Sequence, residues 1–297
     1  MSNLKELRKR IKSVKSTQKI TKAMKVVSAA KLRKVRMKAE ASQPYARLMR
    51  GVMRHLAANG DAASLPALIA GNGAKEKTLI LAISSDRGLC GSYNSHVTKK
   101  LRDEITAIKE RGGDFQVYFV GRKLFSHFSH LSDNQIAGKE FGLSSKRDVP
   151  FALADALATS LIASFEKGEF SRCRVIYTEF VNALVQRVSV RPLIPVESEG
   201  DETQANVNSG ELHPVYEYEP DQEEILKEIL PKNVAVQLYD AILESAASEH
   251  AARMTAMDNA NRNAGKMVGE LTLRYNRSRQ AAITKELIEI ISGAEAV

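Results

Sequence analysis

The sequence has 297 residues, 43% of them apolar and 27% charged, with a formal net charge of +9, enough for one or two domains with a real core. No run approaches the ~18 apolar residues of a membrane span. The start, Met1-Ser2-Asn3-Leu4-Lys5, lacks a secretory signal, and Cys90 and Cys173 make neither a disulfide framework nor a zinc pattern. A spanning membrane protein, a secreted disulfide scaffold and a disordered chain are excluded, and a reducing compartment is expected.

The N-terminal segment comes first in chain order and carries most of the charge. Residues 1–54 hold 17 Lys and Arg against two acids, Glu6 and Glu40, a net of +15. The other 243 residues sum to −6, and residues 196–230 alone reach −10. Such asymmetry argues for an acidic or polyanionic partner at the basic end. No Gly precedes Gly51, no Pro precedes Pro44, and good helix formers dominate. Leu4, Leu7, Ile11 and Val14 follow a 3-4-3 spacing, and Ile20, Ala23/Met24, Val27 and Ala30 extend an apolar stripe in a shifted phase. The pattern predicts one helix from about Leu4 past Arg36, capped by Ser2 or Asn3, kinked at Pro44 and ending at Asn59-Gly60.

The middle of the chain has a different texture. Thr78–Ser84 reads as a buried strand and leads into the loop Ser85-Asp-Arg-Gly-Leu-Cys-Gly91. A helix over 92–111, a strand at Phe115–Val120, a short helix through Phe128, a helix over 150–167 and a strand at Arg174–Val181 follow. Arg187–Ile194 alternates like an edge strand and stops at Pro195. Strands alternating with helices predict an α/β domain with an open, mostly parallel, Rossmann-like sheet. Residues 196–211 read as an exposed acidic loop, and 55–75 carry no assignable pattern.

The C-terminal segment mirrors the first. A seven-residue ladder runs Leu243, His250, Met257, Ala264, Leu271, and its companion runs Ala247, Met254, Asn261, Val268, Tyr275, Ala282. Five heptads predict a coiled coil with a thin, partly polar seam. Helical from Asn233 to Ser292, the element holds 60 residues and spans about 90 Å. Two long terminal helices pairing antiparallel around an inserted α/β domain is the expected architecture. The expected divisions are 1–58 for the N-terminal helix, 75–222 for the α/β domain and 223–297 for the C-terminal helix.

Chemical motifs are weak. The turn Asp86-Arg87-Gly88-Leu89-Cys90-Gly91 sits where open α/β sheets bind ligands, yet its glycines are spaced G-x-x-G and no phosphate-binding loop occurs. Gly88 and Gly91 are expected to serve the backbone of a tight turn. His127, His130 and Asp133 lack a second ligand pair, and Cys90 has no base assigned to it by sequence. No catalytic, cofactor-binding or metal residue is expected. Composition alone leaves an acidic protein partner and nucleic acid equally placed as targets of the basic helix.

Three segments resemble the gamma subunit of F-type ATP synthases, of bacterial type. They are Arg10–Met24 with Val26–Lys34, Ser85–Gly91, and Leu271–Asn276 with Arg279-Gln280 and Ile283–Ala294; Ala246–Met254 fits as well. Their order matches the family, so the resemblance covers the whole chain. It implies a non-catalytic central rotor shaft. The terminal helices would turn inside a hexamer of three alpha and three beta subunits and couple proton flow to ATP synthesis or hydrolysis. The α/β domain would sit outside with the epsilon subunit and the membrane c-ring.

The resemblance further implies a peripheral position on the cytoplasmic side of a bacterial inner membrane, with no direct membrane insertion, no nucleic acid and no cofactor. By motif position it places Met24 and Lys25 beside an acidic loop of beta. It places Arg279, Gln280 and Thr284 against beta and alpha in the bore, and Asp86, Arg87 and Gly88 near the bearing. Lys25 departs from the family, which often carries an acid there, and the cysteine pair of chloroplast members is missing. No transit peptide precedes Met1, which favours a bacterial protein over an organellar precursor.

Overall fold

The computed structural model describes residues 2–59, 66–142, 149–196 and 222–295. The expected acidic loop at 196–211 lies outside them beyond its first residue, as does the stretch 60–65. The chain divides into two compact units, one of residues 1–30 and 253–297 and the other of residues 31–252. Each long terminal helix contributes to both.

The first helix, α1, spans Ser2–Asn59. It begins earlier than expected, so Ser2 and Asn3 are helical rather than capping, and it continues through Pro44. A proline inside a helix removes one backbone donor. Around it Ser42 donates to Asp240 Oδ1 at 3.1 Å and Ala46 is 2% exposed, so packing holds the helix across the gap. The last helix, α6, spans Gln222–Glu295, eleven residues longer at its start than the ladder predicts, and takes Pro231 inside it.

Within the second unit, a five-stranded sheet has the order β3-β2-β1-β4-β5. The strands are β1 Lys77–Ile83, β2 Asp114–Val120, β3 Ile136–Glu140, β4 Arg172–Phe180 and β5 Gln186–Ile194. The first four are parallel and β5 runs antiparallel; it lies at an edge, the place its alternating sequence predicts. The other helices are a short α2, Ala67–Ala70, then α3 Tyr93–Glu110, α4 Arg122–His127 and α5 Phe151–Glu166.

Successive strand residues face opposite sides of the sheet, which splits the core in two. Leu79, Leu81, Ile83, Val175 and Tyr177 pack with Leu157, Leu161 and Phe165 of α5 and with Leu230, Val234, Leu238 and Leu243 of α6. Ile80, Ala82, Val117, Phe119 and Ile176 pack with Val97, Leu101 and Ile105 of α3 and Leu124 of α4. Burial on both faces explains why the inner strands read as continuous apolar runs.

Edge strand β3 is missing from the sequence reading. Its residues Ile-Ala-Gly-Lys-Glu carry little β-propensity. It forms because Gly138 lets the ring of Tyr118 cross over it; a Cβ there would collide with the ring.

Candidate partner-binding surface

In the first unit the two helix ends run antiparallel. Lys25 Nζ lies 2.6 Å from Asp258 Oδ1, and Gly265 approaches Gln18, whose Nε2 would sit 3.1 Å from a Cβ on the glycine. Seven residues back along α1 correspond to seven forward along α6, the signature of an antiparallel heptad seam. Every seventh residue of the ladder Leu243, His250, Met257, Ala264 and Leu271 is buried. Its companions Met254, Asn261, Val268, Tyr275 and Ala282 are half-buried.

The seam of α1 differs from its apolar pattern. After Leu4, Leu7, Ile11 and Val14, the covered positions continue in the same phase through Gln18, Thr21, Lys25 and Ser28 to Leu32. Thr21 and Ser28 are buried, whereas Ile20 is 57% and Val27 56% exposed, and Ala23 and Ala30 are exposed too. Only Met24 of the shifted stripe is half-buried. The shifted stripe therefore lies outside the seam. Heptad continuity outweighs side-chain polarity here, because the positions facing a neighbouring helix are set by the 3.5-residue period. Small polar side chains fill the thin contact, and apolar ones are left for another surface.

The seam also ends before α6 does. Carried to the start of α1, its register sets Ser2 opposite Ala281. From Ile283 to Ser292 every residue is exposed, including Ile283, Leu287, Ile288, Ile290 and Ile291. An apolar row of this length with no neighbour among the described residues marks a candidate interaction surface. The motif-assigned residues Arg279, Gln280 and Thr284 are all exposed at this end. Met24 is half-buried, and Lys25 spends its charge on Asp258, which is also bonded by Arg262 at 2.9 Å. Hydrogen bonding from Lys25 holds the Asp258 carboxyl below its ordinary range.

In the second unit, the turn after β1 is built around Ser85. Its hydroxyl donates to the Arg87 carbonyl at 2.6 Å or to Asn94 Oδ1 at 2.9 Å, and Asn94 Nδ2 donates to Cys90 Sγ at 3.2 Å. Asp86 Oδ1 accepts from the backbone of Arg122 at 3.3 Å and Gly142 at 3.0 Å, tying the ends of β2 and β3 together. The left-handed residues are Leu89, with φ of 63°, and Gly91, with φ of 59°; Gly88 is not among them. The expectation that Gly88 serves a special backbone angle is thus corrected, since Leu89 takes it. A non-glycine residue in that region is strained, and such strain is kept mostly at functional positions.

Leu89 is 63% exposed, and the turn after the adjacent strand β4 exposes Val181, Leu184 and Val185. This second apolar surface was missed in the sequence, where single apolar residues inside polar turns look ordinary. Its signal was Leu89 itself, a large apolar side chain between two glycines. Around it Arg87 is exposed and Asp86 and Gly88 half-exposed, so the three motif-assigned turn residues share one solvent-facing loop.

The chemical alternatives find other employment. The α4 helix ends at His127, so His130 is off it; His127 Nε2 lies 3.2 Å from Arg102, and His130 stacks on Phe128. Among the described residues no group of His, Cys, Asp and Glu is arranged to hold a metal ion. Burial pushes the Cys173 thiol up to about 12, far from a reactive thiolate. The described residues contain no helix long and apolar enough to cross a membrane.

Comparison with known proteins agrees with this geometry. The ATP synthase family model matches residues 3–297. An ATP synthase gamma chain of Acidiphilium cryptum is 48% identical over 298 residues and the whole of both chains, and that of Erythrobacter litoralis is equally similar. This chain belongs to the ATP synthase gamma-chain family. Among solved structures, a chain from the central stalk/c-ring structure of the Tetrahymena thermophila mitochondrial ATP synthase aligns with a TM-score of 0.58 at 25% identity, over 81% of this chain and 99% of that one. A chain of the Euglena gracilis mitochondrial ATP synthase reaches 0.66 at 18% identity, over 99% and 94%, and so supports the fold of this gamma-family chain.

Proposed function

We propose that this chain is the central rotor shaft of an F-type ATP synthase. Residues 1–58 and 223–297 act as the shaft and 75–222 as the foot. The shaft turns inside a hexamer of three alpha and three beta subunits, while the foot meets the epsilon subunit and the c-ring. The complex would stand at a bacterial inner membrane with this chain peripheral on the cytoplasmic side. The observation that carries the reading is full-length similarity to gamma chains, at 48% identity. The outward sorting of Ile20, Val27 and the row from Ile283 to Ile291 supports it.

In this reading the chain performs no bond chemistry. A single asymmetric shaft meets three equivalent partners through different residues, so each partner is held in a different state, and rotation exchanges the states. The exposed bases of α1, among them Lys9, Arg10, Lys12 and Lys15, spread over its outer face and offer an acidic loop of beta an attractive field. Met24 and Lys25 lie beside that acidic loop, Asp86, Arg87 and Gly88 lie near the bearing, and Arg279, Gln280 and Thr284 act within the bore.

Native mass spectrometry on the tagged chain recovered from its own cells tests the reading. One copy with three alpha and three beta subunits is the expected result. Recovery with nucleic acid and without that hexamer would overturn it in favour of a basic coiled-coil nucleic-acid binder. DNA retention with a salt slope no steeper than that of a non-specific basic control is the matching expectation.

A further inference from the structure

Strand β4 outruns its parallel neighbour. Its register with β1 ends at Ala82 opposite Ile176, while β4 continues to Phe180 paired only with β5. Backbone groups on one side of a strand recur every second residue, so Thr178 and Phe180 aim theirs where β1 has stopped. Three side chains of α6 take the place of the missing strand. The Thr178 N–H donates to Ser245 Oγ at 3.1 Å, Ser248 Oγ donates to the Thr178 carbonyl at 3.0 Å, and the Phe180 N–H donates to Glu244 Oε2 at 3.1 Å.

Ser248 is fully buried, Ser245 is 2% and Thr178 2% exposed, and the buried ring of Tyr93 packs beside Thr178, Ser245 and Glu249. Elsewhere α6 lies on the sheet through apolar side chains, whose attraction resists separation but has no preferred direction. Hydrogen bonds to fixed backbone groups are directional and resist sliding and twisting.

We propose that Glu244, Ser245 and Ser248 are positioning residues that splice α6 to β4 as a surrogate strand and carry torsional load between the α/β domain and the helix. The proposal rests on the rotor reading above. Under it, torque gathered at the foot enters the shaft through main-chain bonds at the end of β4.

The test uses membrane vesicles carrying the complete complex with the wild-type chain, S245A/S248A, E244L or E244Q, each normalised to complex content. Proton pumping per ATP hydrolysed is measured against an opposing proton gradient. S245A/S248A and E244L are expected to lower that ratio by about two-fold or more, because the lost bonds, buried at the two serines and partly buried at Glu244, are unreplaced. E244Q retains an oxygen acceptor for the Phe180 N–H and is expected to keep the wild-type ratio.

A clamp that only stabilises the fold would lower complex content and leave the ratio unchanged, which overturns the proposal. Equal ratios for E244L and E244Q overturn it as well, and this pair decides the matter if S245A/S248A does not assemble. Failure of the rotor reading shows separately, as wild-type vesicles that pump no better than vesicles lacking the chain.

Discussion

Lys25, where the family resemblance implies an acid, is answered by Asp258 from the opposite helix at 2.6 Å. The departure is therefore absorbed within the first unit, where a charged pair in a thin seam fixes register as polar seam residues do. Charge reversal at one partner leaves like charges facing each other, so Lys25→Glu is expected to lower the thermal midpoint followed by circular dichroism. The double exchange Lys25→Glu/Asp258→Lys is expected to recover most of it. An unchanged midpoint in the single variant would show the pair to be idle. The pH dependence has a definite sign. The folded carboxyl titrates below its ordinary 3.8, so its contribution is present above that pH and is lost as pH falls through the lower folded value. None of this pairing was legible in the sequence, because Lys25 and Asp258 lie 233 positions apart and no periodicity links a lysine to its counter-ion.

At the scale of elements, the strands and helices of the α/β domain were legible because buried parallel strands leave unbroken apolar runs. The phase of the α1 seam was legible only through Val14. Beyond it the covered residues Gln18, Thr21 and Ser28 have the composition of a surface, while Ile20 and Val27 have that of a core and lie outside. On the rotor proposal the apolar face left exposed in the free chain would be the one covered in the assembly. Ile20→Ser/Val27→Ser is accordingly expected to shift the stability of the isolated chain by no more than about 0.5 kcal/mol. The same variant should weaken retention of the alpha and beta subunits on the tagged chain. A large loss of stability in isolation would place these residues in a seam after all. Gly121 offers the opposite case, a residue fixed by its own fold. Its φ is +107°, and a Cβ would collide with the Ser84 carbonyl at the junction of β2 and α4. Gly121→Ala should cost on the order of 3 kcal/mol, read from denaturant unfolding of the isolated chain.

For the molecule as a whole, three asymmetries meet in the two terminal helices: net charge of +15 in residues 1–54, a seam that α1 fills from Gln18 to Ser28 with polar groups, and an apolar row on α6 that α1 does not reach. A self-sufficient coiled coil has no use for any of them, and a shaft surrounded by partners accounts for all three. Gln280 lies at the junction, exposed and one residue before the end of the seam register, so it is free to bond outward in whichever orientation the shaft holds. Replacing it with leucine keeps its length and removes its donor and acceptor together. Gln280→Leu is therefore expected to leave the helix content and midpoint of the isolated chain unchanged to within about 0.5 kcal/mol. In the assembled complex it should lower ATP hydrolysis and proton pumping together, because the lost contact is made only with the partners and acts on every third of a turn. Wild-type rates of both in the variant complex would remove Gln280 from the coupling surface. They would move the weight of contact onto the apolar row from Ile283 to Ile291, where serine substitutions offer the next measurement.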